Sequence, residues 1–361
     1  MEQNPLETAR AAIDKIDGEL CVLFQARMAE AAKVAAYKAE NGLAILDEGR
    51  EAALVEHNLG RLEEGHPLRP YYEDFLRHNM ALSRQYQAQC LGRNAVAYQG
   101  IPGAFSHIAL TRLFPHARPL SLPAFEDVFR AVVEGEAAYG VLPFENSQAG
   151  DVSEALDLCL LHPGCFIHRM YDLIVTQNLL ALPGTALSQI KRVVSHPQAL
   201  RQCASFLRQL NLTVEQRPNT AMAAQYVAEA GDPSLAAIAS GDTATLYGLE
   251  VLAADISETA DNTTRFIVIS KEEPTAGNRF CLLFTVRHEA GRLARAIETI
   301  ARLGYNMECI KSRPLRRMAW EYYFYAELVG EPTPALLEEL SADCRAVRLL
   351  GRYERNVEHG A

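Results

Sequence analysis

Residues 6–38 keep one seam at three- and four-residue steps, and no other feature restricts the fold so tightly. The seam reads Leu6, Arg10, Ile13, Asp17, Leu20, Phe24, Arg27, Ala31, Val34, Lys38. Such a period is a single helix of ~33 residues, ~50 Å long at 1.5 Å per residue. A helix of that length needs a partner helix along it. Gly42 ends it, a second helix starts near Asp47, and Pro67 and Pro70 introduce a third that runs to Cys90. The seam is apolar except for three cations and one acid. Either the long stems snorkel outward from a coiled-coil-like helix, or the cations line a charged pocket between helices.

From Asn94 the texture changes to short apolar strands alternating with helices. Residues 95–98, 138–142, 192–195, 235–239 and 265–270 are strand-like, and 103–114, 125–134, 152–161, 198–209 and 220–230 are helix-like. That alternation predicts a mostly parallel α/β sheet. The extended stretch 167–182 is expected to cross between two lobes, with 251–256 crossing back. Residues 271–278 form a polar linker bearing proline and glycine. Beyond it the order is strand (280–286), helix (293–303), strand (307–313), strand (320–329), helix (334–344), strand (347–351). This βαββαβ order is ferredoxin-like. In the third of those strands Trp320, Tyr322, Phe324 and Ala326 alternate with Glu321, Tyr323 and Tyr325, a period of two.

Composition narrows the function. A chain of 361 residues with 49% apolar and 22% charged residues has material for two or three domains. Its net charge of −10, without a basic block, argues against nucleic-acid and anionic-membrane partners. The first ten residues lack an apolar core segment, and no stretch approaches ~18 apolar residues. Eight scattered cysteines without a C-x-x-C pair or zinc spacing read as thiols of a reducing compartment. The expectation is a cytoplasmic enzyme without metal or cofactor.

The second and third helices add Asp47, Arg50 and Glu51, then Ser83 and Gln87, which share a helical face at i, i+4. With Arg10, Arg27 and Lys38, this set resembles the all-helical chorismate mutase family over residues 1–91. The resemblance implies a pericyclic rearrangement that needs two clamped carboxylates and stabilised charge on an ether oxygen. Arg10 and Arg27 then hold carboxylates, and Lys38 and Gln87 donate to the ether oxygen. Glu51 accepts from the substrate hydroxyl, Ser83 binds the ring carboxylate, and Asp47 and Arg50 complete the substrate-binding cluster. Arg10 and Arg27 lie ~25 Å apart along one straight helix and cannot share a small substrate. Arg10 is therefore expected to serve a second subunit's site in an intertwined homodimer, or in a higher homo-oligomer.

The middle segment carries polar turns at predicted strand ends: Gly100 with Gly103, Ser106 and His107; Glu145-Asn146-Ser147 with Gly150; Ser195-His196-Pro197-Gln198; Asn219-Thr220; and Thr264-Arg265-Phe266. Each alone reads as a strand-to-helix turn, with Ser106, Ser153 and Thr220 as ordinary helix caps. Together they define the cleft of an open α/β sheet. The set resembles prephenate dehydratase over residues 94–271, a family folded as two lobes like bacterial periplasmic binding proteins. The resemblance implies that Thr264 donates to the departing ring hydroxyl and Arg265 holds a substrate carboxylate. Asn146, Ser147, Ser195, Gln198 and Thr220 line the cleft. His107, His196 and Glu145 are the reserve acids.

Residues 279–361 resemble the ACT regulatory domain. The phenylalanine-controlled branch marks its effector site with the signatures GALV and ESRP. Here those stretches are Gly291-Arg292-Leu293-Ala294 and Lys311-Ser312-Arg313-Pro314. Gly291, Leu293, Ser312, Arg313 and Pro314 are retained, Arg292 replaces a small residue and Lys311 reverses a charge. The whole is expected to be an all-α mutase segment, a two-lobed α/β dehydratase and an α+β ferredoxin-like sensor. The resemblances imply chorismate and prephenate as substrates and phenylalanine as the candidate effector. The rival readings are a single-activity dehydratase with a helical dimerisation arm, and a non-catalytic amino-acid-binding regulator.

Overall fold

The computed structural model describes residues 4–259, 261–274, 276–315 and 321–357, which divide into two compact units at Asn94/Ala95. The first unit is helical. Helix α1 (Pro5–Glu40) starts from Asn4, whose side chain accepts the Leu6 N–H at 3.1 Å, with Pro5 in the first turn. Helix α2 (Glu48–Leu59) starts from Asp47, which accepts the Arg50 N–H at 2.9 Å. Helix α3 (Arg69–Cys90) follows. Val55 and Leu59 of α2 pack on Leu76 and Met80 of α3. The expected seam is covered only in part. Residues 4–26 are exposed, and burial begins with Met28, Ala31 and Ala35, while Val34 stays 46% exposed. Length is the reason: α1 has 36 residues and α3 has 22, so ~33 Å of helix cannot cover ~54 Å.

The second unit begins with β1 (Ala95–Gln99), α4 (Phe105–Leu113), β2 (Arg118–Leu122), α5 (Phe125–Glu134), β3 (Tyr139–Asn146), the short β4 (Gly150–Asp151), α6 (Ser153–Leu161) and β5 (Phe166–Ile174). The chain then builds a second lobe from β6 (Asn178–Ala181), β7 (Arg192–Ser195), α7 (Pro197–Gln202), α8 (Ala204–Gln209), β8 (Thr213–Gln216), α9 (Thr220–Ala230), β9 (Leu235–Ala239), α10 (Gly241–Tyr247) and β10 (Glu250–Ala253). It returns as β11 (Thr263–Ser270). The outward crossing falls where expected, between Ile174 and Asn178. The return does not: 250–253 is the edge strand of the second lobe, and the crossing runs through 254–262. The Ile256 N–H donates to the Gln177 carbonyl at 2.9 Å and ties the two crossings together.

Both sheets are mixed rather than mostly parallel. In the first, β1 is parallel to β2 and β3, but the returning β11 is antiparallel to β3 and β5. In the second, β7 is parallel to β8 and β9 while β6 is antiparallel to β9 and β10. The strands that follow each crossing enter from the opposite end, which reverses them.

The C-terminal part is the predicted βαββαβ: β12 (Arg279–Val286), α11 (Arg292–Arg302), β13 (Asn306–Pro314), β14 (Tyr322–Val329), α12 (Pro334–Asp343) and β15 (Cys344–Tyr353). Its antiparallel sheet has the order β13-β14-β12-β15. Trp320 lies outside the described residues. The period of two in β14 serves two cores. Ala326 and Leu328 face α11 and α12, while Tyr323 and Tyr325 pack into the core of the first lobe. Gly351 (φ +153°) lets β15 approach β5 so closely that a Cβ would strike the Ile167 carbonyl. The chain ends the described region as β16 (Arg355–Val357), parallel to β5 on the first sheet.

Candidate active sites

In the helical unit α3 is the common platform. Asn79, Ser83 and Gln87 repeat at four-residue steps and so share a face. Arg27 donates to the Asn79 carbonyl at 3.4 Å, and burial lowers its pKa from the ordinary arginine value. Glu51 is ion-paired with Arg84. Ser83 and Gln87 are buried, the Gln87 amide donates to Ser83 Oγ at 3.4 Å, and Gln87 Oε1 has no partner. Lys38 donates to the Ile45 carbonyl at 2.6 Å. Asp47 and Arg50 stand apart, Asp47 as the cap of α2 and Arg50 exposed. Arg10 is exposed on the uncovered half of α1. Sequence reasoning missed Arg84. It adjoins Ser83, and no spacing rule marked it.

The second unit encloses a cleft of about 940 Å³ between its lobes. Asn146 is its hub. The Asn146 carbonyl accepts the backbone N–H groups of Gln148 (3.1 Å) and Ala149 (2.8 Å), which fixes the amide's orientation. The Asn146 NH₂ then donates to Thr264 Oγ1 at 2.9 Å and to Asn262 Oδ1 at 2.8 Å. Since the Thr264 oxygen already accepts, its own proton is left to be donated elsewhere. Gln198 reaches Asn146 Oδ1 at 3.3 Å from the second lobe. Gln202, four residues on, links Asn262 (3.2 Å) and Gln148 (2.8 Å). Gln202 was not anticipated, although its i, i+4 relation to Gln198 was there to be read. Thr220, Ser106 and His196 also line the cleft. No arginine or lysine is among the described lining residues. The first turns of α4 and α9 line the space, and a helix N-terminus carries partial positive charge.

Several expected lining residues do other work. Ser195 is fully buried and donates to the Ile238 carbonyl at 2.6 Å. Ser147 staples β3 to β11: it accepts the Thr263 N–H at 3.0 Å and donates to the Asp261 carbonyl at 3.2 Å. The helix caps are Asn219, His196 and Ser240; Ser106, Ser153 and Thr220 sit inside first turns. His107 accepts the Gly103 N–H through Nδ1, as His196 does for Gln198, and burial depresses both pKa values.

The largest correction is Arg265. Successive residues of a strand point to opposite faces, so Thr264 faces the cleft and Arg265 faces away from it. Its guanidinium pairs with Asp172 at 2.8 Å and lies 3.6 Å from Glu145 and 3.7 Å from Glu327 of β14. Burial alone would lower its pKa, but bonding to Asp172 and the two further carboxylates raise it above the ordinary arginine value. The carboxylates it holds belong to the protein.

In the C-terminal part, a cavity of about 540 Å³ is lined by Gly291 and Leu293 together with His288, Glu321 and Tyr322. Ser312, Arg313 and Pro314 do not line it. Arg313 is bound to Asp157 of α6 at 2.8 Å, and Tyr323 donates to the same carboxylate at 2.7 Å. Arg292 turns to Glu289 at 2.8 Å.

Fold and sites define a helical unit with a cation-bearing polar platform, joined to a two-lobed α/β unit with a cleft of uncharged donors. Comparison with known proteins gives that class its family. Residues 9–88 match the chorismate mutase type II family and residues 96–274 match the prephenate dehydratase family. The bifunctional chorismate mutase/prephenate dehydratase of Aquifex aeolicus is 32% identical over 97% of this chain and 98% of its own. The chain belongs to the bifunctional chorismate mutase/prephenate dehydratase family. Among solved structures, the prephenate dehydratase of Arthrobacter aurescens in complex with L-Phe is 28% identical, with a TM-score of 0.66 over 72% of this chain and 90% of that one. A protein described as a quorum-quenching acylase, GqqA, is 33% identical, with a TM-score of 0.67 over 72% of this chain and 97% of that one.

Proposed function

We infer that the chain rearranges chorismate to prephenate in its helical unit and converts prephenate to phenylpyruvate in its cleft. The carrying observation is that one chain matches a two-activity enzyme over 97% of its length and also presents polar residues suited to both reactions. In this reading residues 1–91 are the mutase, 94–271 the dehydratase and 279–361 an ACT sensor.

For the mutase, Arg27 and Lys38 supply charge, and Glu51, held by Arg84, accepts from the substrate hydroxyl. A flip of the Gln87 amide lets its carbonyl accept from Ser83 and frees both N–H groups for the ether oxygen. Arg10 lies on an unbroken helix too far from Arg27 to share its substrate, which supports donation to a second subunit's site. Leu6, Ile13, Leu20 and Phe24 are each about half exposed on that free helix. Covering such side chains contributes about 1.5–3 kcal/mol apiece when burial is complete, so a second copy of α1 is the natural partner.

For the dehydratase, helix N-termini and amide donors bind the two carboxylates. Thr264, its oxygen occupied by Asn146, donates a hydrogen bond to the departing ring hydroxyl, which leaves as water with a proton from solvent as carbon dioxide departs and the ring becomes aromatic. The cavity beside Gly291 and Leu293 is the candidate phenylalanine site. No described helix is long and apolar enough to cross a membrane, in keeping with a cytoplasmic enzyme. A stepwise assay tests the reading: chorismate should give prephenate and then phenylpyruvate, and added prephenate alone should give phenylpyruvate. Failure of either substrate to react removes the corresponding half.

A further inference from the structure

Immediately behind the Asn146–Thr264 pair runs a row of charge. Across neighbouring strands, Asp172 of β5, Arg265 of β11, Glu145 of β3 and Asp151 of β4 stand side by side, in direct register. Their signs are minus, plus, minus, minus. Glu145 and Asp151 are therefore like charges placed directly opposite each other, an arrangement that weakens a strand pair. The β3–β4 hairpin they share is short, and it matters. Its turn fixes Asn146 Oδ1, and Ala149, Gly150, Asp151 and Val152 line the cleft.

The charge that reconciles the pair comes from the C-terminal part. Lys311 of β13 reaches across to Asp151 at 2.5 Å and to Glu145 at 3.0 Å, with its ammonium 5.1 Å from the centre of the Phe144 ring. Its side chain is only 9% exposed. Among the described residues it is the one cation within 4 Å of Asp151. Two further cations grip the helix that follows the hairpin: Arg313 binds Asp157, and Arg348 donates to the Cys159 carbonyl near the end of α6. The position at which the family resemblance expects glutamate thus carries the charge this hairpin lacks.

We propose that Lys311 is a positioning residue for the dehydratase reaction: it clamps the Glu145–Asp151 hairpin and so holds Asn146 against Thr264. The C-terminal part is then a structural component of the dehydratase site. This inference rests on the dehydratase reading, and its test separates the two. Lys311→Glu would put three carboxylates together. It should lower dehydratase kcat on added prephenate by about 10- to 100-fold, the range for a small misplacement of catalytic groups. Mutase turnover of chorismate should stay unchanged. Lys311→Arg should keep activity within about threefold, and Lys311→Asp combined with Asp151→Lys should recover most of what Lys311→Asp loses. Charge exchange would repair fold and site alike, so kcat is read at a temperature where every variant is shown to be folded. Hydrogen exchange of residues 145–152 should rise in Lys311→Glu whether or not turnover is measured. Unchanged kcat and unchanged exchange in Lys311→Glu would overturn the proposal, as would failure of the charge exchange to restore activity. A wild-type chain that does not consume prephenate would instead refute the functional reading, and the exchange measurement would still decide the clamp.

Discussion

Arg265→Ala removes a guanidinium that stands within 4 Å of Asp172, Glu145 and Glu327. Asp172 keeps a second cation, Arg355 at 2.6 Å, and Glu145 keeps Lys311. Glu327 loses most: it is 1% exposed, its Oε1 already lacks a partner, and Arg265 is the one cation within 4 Å of it among the described residues. Stranding a buried charge costs about 3–5 kcal/mol, and the lower end applies because two of the three acids stay paired. At roughly 2–4 °C per kcal/mol for a unit of this size, the thermal midpoint should fall by about 6–12 °C. The Asp172 carboxyl bears on the conditions. Burial would raise its pKa, yet the two arginines outweigh that and hold it below 3.8. Stability from a lowered carboxyl pKa is present in full above the unfolded value and is lost as pH falls through the folded one. A melt at pH 7 therefore reports all of it. The assay pairs that melt, followed on the dehydratase unit, with KM for prephenate below the midpoint. A midpoint within about 2 °C of wild type, together with a KM raised tenfold or more, would show that Arg265 binds substrate and that the ion-pair argument is wrong.

Thr264→Ala should lower dehydratase turnover by about 10²-fold with little change in KM, read from saturation curves on prephenate; near-normal turnover would place the donor elsewhere. Arg10→Ala and Lys38→Ala chains should each lose mutase activity by orders of magnitude while still dehydrating prephenate. Mixed under subunit exchange they should regain part of it, because one of the two sites in the heterodimer is then intact; proven heterodimers without recovery would count against trans donation. Burial depresses the pKa values of His107, His168 and His196 below 6.5. The unfolded chain therefore binds more protons there, and denaturant stability of the second unit should fall as pH drops below about 6.5, levelling once the folded values are passed. Stability that rises on acidification over that range would contradict the downward shifts.

Local pattern was a sound guide to local structure. The apolar periodicity of 6–38 became one helix, the alternation beyond Asn94 became strands and helices, and βαββαβ came out in order. The mixed sheets were not legible, because strand direction depends on which end of a lobe the chain re-enters. Within the sites, Thr264 and Gln198 both hydrogen-bond to Asn146, while the hydroxyls of Ser195 and Ser147 bond to backbone. A hydroxyl at a strand end has the same spacing whether it faces the cleft or bonds to neighbouring backbone, as Ser195 does in the interior and Ser147 at the surface.

By itself the amino-acid sequence determined whatever repeats within a few residues: helix seams, strand alternation, turn chemistry and the motifs that carry the family resemblance. Tertiary structure alone decided who meets whom across the chain. Thr264 meets Asn146 over 118 residues and Arg265 meets Asp172 over 93. Two adjacent residues of one strand thus serve opposite faces, one toward the cleft and one toward the C-terminal sheet. Periodicity says that the faces differ, but which face is wet depends on what packs behind the strand. For β11 that is a sheet formed later in the sequence, whose Glu327 and Lys311 complete a charge row that no local pattern contains.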